Sequence, residues 1–134
     1  MYVEGEEGTR AAGGAIARSL RPGDVVFLNG ELGAGKTTFV RGVLEALGWK
    51  GAVRSPTFTL IQTYATEPPV LHADLYRVAG WQGLGLEDYF EDHILLIEWP
   101  DRAMGLVSEE EAWRIQIDFK EGGREITISR PNRP

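Results

Sequence analysis

Hydrophobic positions along the chain follow two periods, one helical and one extended. Apolar residues recur near helical spacing from Thr9 to Leu20 and from Lys36 to Leu47, so both stretches are predicted to be helices. Thr9 is the expected N-cap of the first helix, and Pro22-Gly23 is expected to end it. Gly48 stands where the residue after the second helix belongs. These two helices interrupt a series of segments with strand character.

Runs of apolar residues at 25–28 ("VVFL") and 94–97 ("ILLI") predict strands that are buried on both faces. Two further strands are predicted from Thr57 to Tyr64 and from Val70 to Asp74, and "AGWQGLGLEDYFED" is expected to be a loop with a short helix. The segments "WRIQIDF" and "REITIS" alternate apolar and polar residues around "KEGG", which predicts a C-terminal β-hairpin. The predicted fold class is a single α/β domain over residues 1–134, with a mixed, mostly parallel sheet flanked by helices.

Composition narrows the classes of function. With 43% hydrophobic and 25% charged residues, the chain is expected to be globular. The net charge of −6 and the absence of a basic run argue against direct binding of nucleic acid as the main activity. The apolar runs are too short to span a bilayer, and the acidic N-terminus does not resemble a secretory signal. The absence of cysteine excludes disulfides and thiolate metal sites. We therefore expect a cytoplasmic protein without a membrane partner.

The stretch "GELGAGKT", Gly30 to Thr37, fits the phosphate-binding pattern G-x-x-x-x-G-K-[ST]. Its glycines allow backbone N–H groups to surround phosphate oxygens, and the helix that follows directs its positive end to the same place. Lys36 is expected to contact the β- and γ-phosphates, and the Thr37 hydroxyl is positioned for Mg²⁺. The alternative is a glycine-rich turn without a ligand. The position between a buried strand and an amphipathic helix favours the P-loop interpretation.

A nucleotide hydrolase also needs a carboxylate near the metal, at the end of a strand beside the P-loop strand. Asp74 and Glu98 are the two candidates, and Glu98 follows the more apolar strand. Either carboxylate alternatively caps a loop or faces solvent. The segment "SPTFT" at 55–59 either senses the terminal phosphate or is a turn before a strand. His72 and His93 lack metal-ligand spacing, and no role is assigned to them.

Four ordered segments, "GELGAGKTTFVRG", "SPTFTL", "HADLYR" and "LIEWP", resemble the bacterial TsaE (YjeE) family. Members of this family are P-loop ATPases of tRNA threonylcarbamoyladenosine biosynthesis. The resemblance implies hydrolysis of ATP with Mg²⁺ in a complex with TsaD and TsaB. That complex modifies the adenosine next to the anticodon in tRNAs that read ANN codons, so this chain is expected to meet tRNA only indirectly.

The resemblance also implies roles for individual residues. The implied ATP-binding residues are Thr9, Gly33, Ala34, Gly35, Lys36, Thr37, Thr38 and Arg124. The implied metal ligands are Thr37 and Glu98. The implied catalytic residues are Lys36, Thr57, Asp74 and Glu98. Trp99 fits the "EW" pair of the family but is equally well explained as a packing residue, and Tyr76 and Arg77 face either a partner or the phosphates.

Other nucleotide-dependent functions are less consistent with the sequence. A GTPase would need a guanine-reading N/T-K-x-D motif, which the sequence lacks. A small-molecule kinase would need an arginine-rich lid, and Arg102 and Arg114 are scattered. A module that binds nucleotide only to control docking stays open, because no arginine finger is evident in the sequence. For the same reason, hydrolysis by the isolated chain is expected to be slow and to rise with TsaD and TsaB present.

Overall fold

The computed structural model describes residues 1–31, 33–53, 61–76 and 78–132, and of Glu109 it describes only the backbone. Two α-helices are present in these ranges, α1 (Gly5–Ala17) and α2 (Lys36–Ala46). The strands are β1 (Tyr2–Val3), β2 (Val25–Asn29), β3 (Ile61–Tyr64), β4 (Val70–Asp74), β5 (Ile94–Glu98), β6 (Trp113–Lys120) and β7 (Gly123–Ser129). Short 3-10 turns occupy Leu86–Tyr89, Pro100–Ala103 and Glu109–Glu111.

All seven strands form one sheet in the order β1-β7-β6-β2-β5-β4-β3. The four central strands β6, β2, β5 and β4 are parallel, whereas β1, β7 and β3 pair antiparallel at the margins. The predicted α/β class and the mixed sheet are thus confirmed, and "mostly parallel" holds for the centre of the sheet. The carboxyl ends of β2, β5 and β4 meet at one edge, which is where open α/β sheets bind ligands.

The two faces of the sheet are covered differently. Helices α1 and α2 pack on one face, over a core that includes Val26, Leu28, Phe39, Leu96 and Ile115. The opposite face is covered by the connections after β4 and β5, which contribute Leu75, Leu86, Ala103 and Leu106. The helices that were expected to flank the sheet therefore cover only one of its faces in the described part of the chain. Loops with 3-10 turns cover the other face.

The first helix begins four residues earlier than its apolar pattern predicts. Glu4 is the N-cap of α1, and Glu6 and Glu7 lie in the first turn, where negative charge is favourable beside the helix N-terminus. Thr9 is therefore inside the helix, and its prediction as the N-cap is wrong. The helix also ends at Ala17, before the predicted Leu20. The first turn of α1 is polar, so the apolar pattern of the sequence could not indicate where the helix begins.

Most other predicted elements are confirmed. Helix α2 is followed by Leu47 as its C-cap and by Gly48 in the left-handed conformation at φ 101°, as expected. The predicted C-terminal hairpin is β6 and β7, joined at Glu121-Gly122. Of the strand predicted from Thr57, the part from Ile61 to Tyr64 is present as β3, and residues 57–60 lie outside the described residues. In the described part of the chain, neither helix has the length and apolar character needed to cross a membrane.

Candidate functional site

The loop between β2 and α2 has the backbone geometry that the P-loop pattern requires. At Gly30 an added Cβ atom would lie 2.6 Å from the carbonyl oxygen of Ile117, so only glycine allows β6 to approach this closely. Gly35 is the N-cap of α2 and has a left-handed φ of 113°. Because glycine has no side chain, no cap of its own occupies the N–H groups that begin the helix. The end of α2 is thus suited to an anion.

A small cavity of about 190 Å³ lies against this loop. It brings together six of the eight residues predicted to bind ATP, which are Thr9, Gly33, Ala34, Gly35, Thr38 and Arg124. Gly5 and Glu6 at the start of α1 complete its described lining. Residues from both ends of the chain and from the central loop therefore form one concave site.

Arg124 of β7 ties the hairpin to the loop. Its Nε donates to the carbonyl oxygen of Ala34 at 2.8 Å, and an Nη donates to that of Gly33 at 3.5 Å. The guanidinium carbon lies 4.4 Å from the centroid of the Phe119 ring, a cation–π contact that helps to orient it. In this structure Arg124 therefore supports the shape of the loop through its carbonyl groups.

Lys36, the lysine of the motif, is buried and engaged within the protein. Its Nζ donates to the carbonyl oxygen of Gly30 at 2.7 Å and lies 4.1 Å from the centroid of the Trp99 ring. Burial lowers the pKa of Lys36 below its usual value, while the carboxylates of Glu98 and Asp74 oppose part of this decrease. The lysine thus shares one electrostatic environment with both predicted carboxylates.

Asp74 and Glu98 lie side by side at the ends of β4 and β5, where they are register partners. Glu98 is buried, whereas Asp74 is half-buried and accepts a hydrogen bond from the backbone N–H of Tyr76 at 3.0 Å. Both carboxylates lie on the face of the sheet that carries α2, because Glu98 alternates in step with Leu96 and Asp74 with Val70, which pack in the core under the helices. The two acids that the sequence left as alternatives are therefore present together.

Trp99 directly follows Glu98 and has a left-handed backbone, with φ 60°. This conformation is costly for a residue with a bulky side chain and is often found at functional sites. Its ring packs against that of Tyr76 with centroids 4.7 Å apart, and it covers Lys36. Trp99 therefore contacts the site and is not only a core residue.

His72 is a residue of the site that the sequence interpretation missed. Its Nε2 lies 2.6 Å from Oε2 of Glu98, and the imidazole is fully buried. Metal-ligand spacing in the sequence does not single out this histidine. The useful signal is its position two residues before Asp74 on one strand, which places both side chains on the same face of the sheet.

The residues present fit a magnesium–nucleotide complex. Within the described ranges, no group of three or more His, Cys, Asp or Glu side chains is arranged to hold a metal ion. Mg²⁺ usually needs only one or two protein oxygens and completes its shell with phosphates and water. Thr37, half-buried in the first turn of α2, and Glu98 supply oxygens of this kind. Thr57 and the segment 55–59, like Arg77, lie outside the described residues.

A larger cavity of about 780 Å³ lies on the opposite face of the sheet, between β6 and the segment after β5. Its described lining includes Phe27, Met104, Arg114 and Gln116, and it includes none of the residues predicted to bind ATP. It also lacks a glycine-rich loop that begins a helix. The chemistry therefore assigns the candidate nucleotide site to the smaller cavity.

Comparisons with known proteins agree with this geometry. The chain is 42% identical over 134 residues to the tRNA threonylcarbamoyladenosine biosynthesis protein TsaE of Streptomyces coelicolor, covering 90% of this chain and 88% of the relative. It is 42% identical over 109 residues to the protein of the same name from Haemophilus influenzae, covering 78% of this chain and 68% of the relative.

A solved structure and a family model extend the comparison. The crystal structure of Bacillus subtilis YdiB superposes with a TM-score of 0.81 at 36% identity, over 96% of this chain and 82% of that protein. The model of the family "Threonylcarbamoyl adenosine biosynthesis protein TsaE" matches residues 3–126. This chain therefore belongs to the TsaE family.

Proposed function

We propose that this chain is the ATP-binding, Mg²⁺-dependent ATP-hydrolysing subunit of tRNA threonylcarbamoyladenosine biosynthesis. It acts with TsaD and TsaB in the modification of the adenosine next to the anticodon in tRNAs that read ANN codons, and it meets tRNA through that complex. Membership of the TsaE family supports the pathway. The observation that carries the hydrolytic chemistry is the gathering of Lys36, Asp74 and Glu98 at the P-loop.

ATP binds with its phosphates along the loop formed by Gly33, Ala34 and Gly35, beside the positive end of α2. The N–H of Ala34 donates to the carbonyl oxygen of Glu31 at 3.0 Å, so Gly33 and Gly35 supply the backbone N–H groups for the phosphates. Lys36 exchanges the carbonyl oxygen of Gly30 for the β- and γ-phosphates, because a charge-assisted bond to phosphate is stronger than a bond to a neutral carbonyl. Thr9, Thr38 and Arg124 line the remainder of the nucleotide cavity. This arrangement accounts for all the predicted ATP-binding residues except Thr37.

Thr37 and Glu98 would hold Mg²⁺, which when bound neutralises charge on the terminal phosphates. Asp74 is more exposed than Glu98 and lies beside it, so it is placed to orient the attacking water by accepting one of its hydrogen bonds. Thr57 belongs to the segment that follows α2, and we propose that it approaches the terminal phosphate. Hydrolysis thereby depends on Asp74, Glu98 and Thr57 in addition to the residues that bind the nucleotide.

The test separates hydrolysis from binding by a substitution at Glu98. Glu98→Gln keeps the shape of the side chain and removes its charge, so we expect Mg²⁺-dependent phosphate release to fall by about 10²-fold. Nucleotide affinity measured without Mg²⁺ should stay close to that of the unsubstituted chain. Asp101→Asn, at an exposed carboxylate after β5, is the matched control. Equal turnover by the Glu98→Gln variant and the control would contradict the metal role.

A second candidate function is a nucleotide-dependent docking module with negligible hydrolysis. The observation that favours it is the engagement of both site cations within the protein, Lys36 with Gly30 and Arg124 with the loop carbonyls. Arg124 is the one arginine in the described lining of the small cavity. Its guanidinium donates to the carbonyl groups of the loop and so supports the loop. Phosphate release in the presence of TsaD and TsaB separates the two functions. Phosphoryl transfer to small acceptors would instead indicate a kinase.

A further inference from the structure

The buried pair of His72 and Glu98 has a consequence for how the proposed metal is held. We propose that His72 is a positioning residue: its Nε2–H holds Oε2 of Glu98, so that the carboxylate presents its other oxygen, Oε1, to Mg²⁺. The proposal rests on the proposed function, because it concerns the metal that the ATPase reaction needs. Carboxylates that ligate metals are commonly oriented by such hydrogen bonds.

Burial makes this hydrogen bond important for Glu98. The carboxylate is 4% exposed, and a buried charged group is stable only when it is paired or hydrogen-bonded. His72 is 0% exposed, and its Nε2 lies within hydrogen-bond distance of Oε2 of Glu98, at 2.6 Å. Without the histidine donor, Oε2 would lose its hydrogen bond. The carboxylate would then be free to rotate, and Oε1 would no longer be held toward the metal.

The position of His72 in the sheet makes it a rigid support. β4 is paired on both sides, with Gln62 of β3 and Leu96 of β5 as the register partners of His72. The backbone beneath the imidazole is therefore fixed by two neighbouring strands. Because this backbone is fixed, the imidazole of His72 loses little further conformational freedom when it holds Glu98 in place.

The second ring nitrogen indicates which tautomer is present. Nδ1 of His72 has no hydrogen-bond partner among the described residues. If the proton were on Nδ1, a buried N–H would lack an acceptor and the contact with Glu98 would lack a donor. The tautomer protonated at Nε2 avoids both penalties. The geometry thus assigns the donor role to Nε2.

Two amide variants test the proposal because they differ in reach. His72→Gln carries an N–H at about the position of Nε2, whereas His72→Asn carries one that is too short to meet Glu98. We expect His72→Asn to raise the Mg²⁺ concentration for half-maximal ATP hydrolysis by about 10–100-fold. His72→Gln should restore most of this loss. His93→Gln is the matched control, because His93 lies outside the site, with its Nδ1 beside Asp92 and its ring against Tyr89. This substitution should leave the required Mg²⁺ concentration unchanged.

A second readout does not depend on turnover. Electron paramagnetic resonance measures the affinity for Mn²⁺ in the presence of a non-hydrolysable ATP analogue, and fluorescence titration measures nucleotide affinity without metal. We expect His72→Asn to weaken Mn²⁺ binding by the same factor, with metal-free nucleotide affinity unchanged. A merely structural histidine would instead lower both affinities together or neither, and either result would overturn the proposal. Failure of His72→Gln to recover Mn²⁺ binding would also overturn it.

The unsubstituted chain provides a test that does not require a variant to fold. Nitrogen-15 NMR of the imidazole should show the proton on Nε2, and a proton on Nδ1 would contradict the proposed donor. The same chain separates this proposal from the proposed function. If it neither hydrolyses ATP nor binds Mn²⁺ with the nucleotide analogue, both proposals fail. If it does both and His72→Asn is unaffected, only the role of His72 fails.

Discussion

Lys36 combines a buried cation with two nearby carboxylates and an aromatic cover. Its Nζ is held by the carbonyl oxygen of Gly30, and Trp99 packs over it from the turn after β5. Burial lowers the pKa of Lys36, whereas Glu98 and Asp74 act in the opposite direction. The phosphates of a nucleotide would replace the carbonyl contact with a stronger, charge-assisted one. The lysine is thus held close to the position where phosphate is expected.

We predict that Lys36→Ala removes most nucleotide-dependent activity while the fold is kept. Loss of the cation should lower the rate of ATP hydrolysis by about 10²-fold or more, since one preorganised donor to a transition state has roughly that value. The free energy of unfolding should change by only about 1 kcal/mol, the value of one hydrogen bond. Lys50→Ala, at an exposed lysine outside the site, is the control. If the Lys36→Ala variant has the same ATPase activity as the Lys50→Ala control, Lys36 does not act on the phosphates.

At the scale of elements, the contact between α1 and α2 determines where the proposed nucleotide cavity forms. A Cβ atom at Gly13 would lie 2.2 Å from the carbonyl oxygen of Phe39, and one at Gly42 would lie 2.0 Å from that of Arg10. Glycine at both positions therefore allows the two backbones to meet. The close approach brings Thr9 of α1 next to Gly35, whose added Cβ would meet the Thr9 methyl group at 3.4 Å. The wall of the cavity depends on this crossing.

Two neighbouring glycines of α1 allow a matched test of the crossing. Gly13→Ala should destabilise the protein by about 1–3 kcal/mol, because the new methyl group forces backbone atoms apart. Gly14→Ala should be neutral or stabilising by up to about 1 kcal/mol, since its Cβ would meet the nearest atom at 3.6 Å and alanine favours a helix. Chemical denaturation measures both. Equal effects of the two substitutions would show that the close contact is unimportant.

Elements with a strong local pattern could be predicted from the sequence, and contacts between distant elements could not. The buried strands β2 and β5 and helix α2 were found because their apolar residues repeat clearly. Strand β1 was missed because two residues are too few to show alternation, and it exists through pairing with β7. The bond between His72 and Glu98 was missed because it depends on the alignment of two strands, which no local pattern reveals.

At the scale of the whole molecule, the proposed nucleotide site is assembled from both ends of the chain. α1 supplies Thr9, the central loop supplies Gly33 to Gly35, and β7 supplies Arg124. The guanidinium of Arg124 donates to the loop and to the carbonyl of Gly123, so it is committed to supporting the cavity. Arg124 is the one cationic side chain in the described lining of the small cavity, so an additional cation that stabilises the transition state would have to come from outside that lining. That requirement is consistent with activation by a partner.

We therefore predict that the isolated chain hydrolyses ATP slowly and that TsaD and TsaB together raise its rate of phosphate release by about tenfold or more, since a cation supplied by a partner can contribute several orders of magnitude. The Lys36→Ala chain mixed with the same partners is the control for hydrolysis that does not use this site. An unchanged rate on mixing would contradict activation. Association with TsaD and TsaB that requires ATP but releases no phosphate would instead establish the docking module, because nucleotide binding alone would then drive assembly.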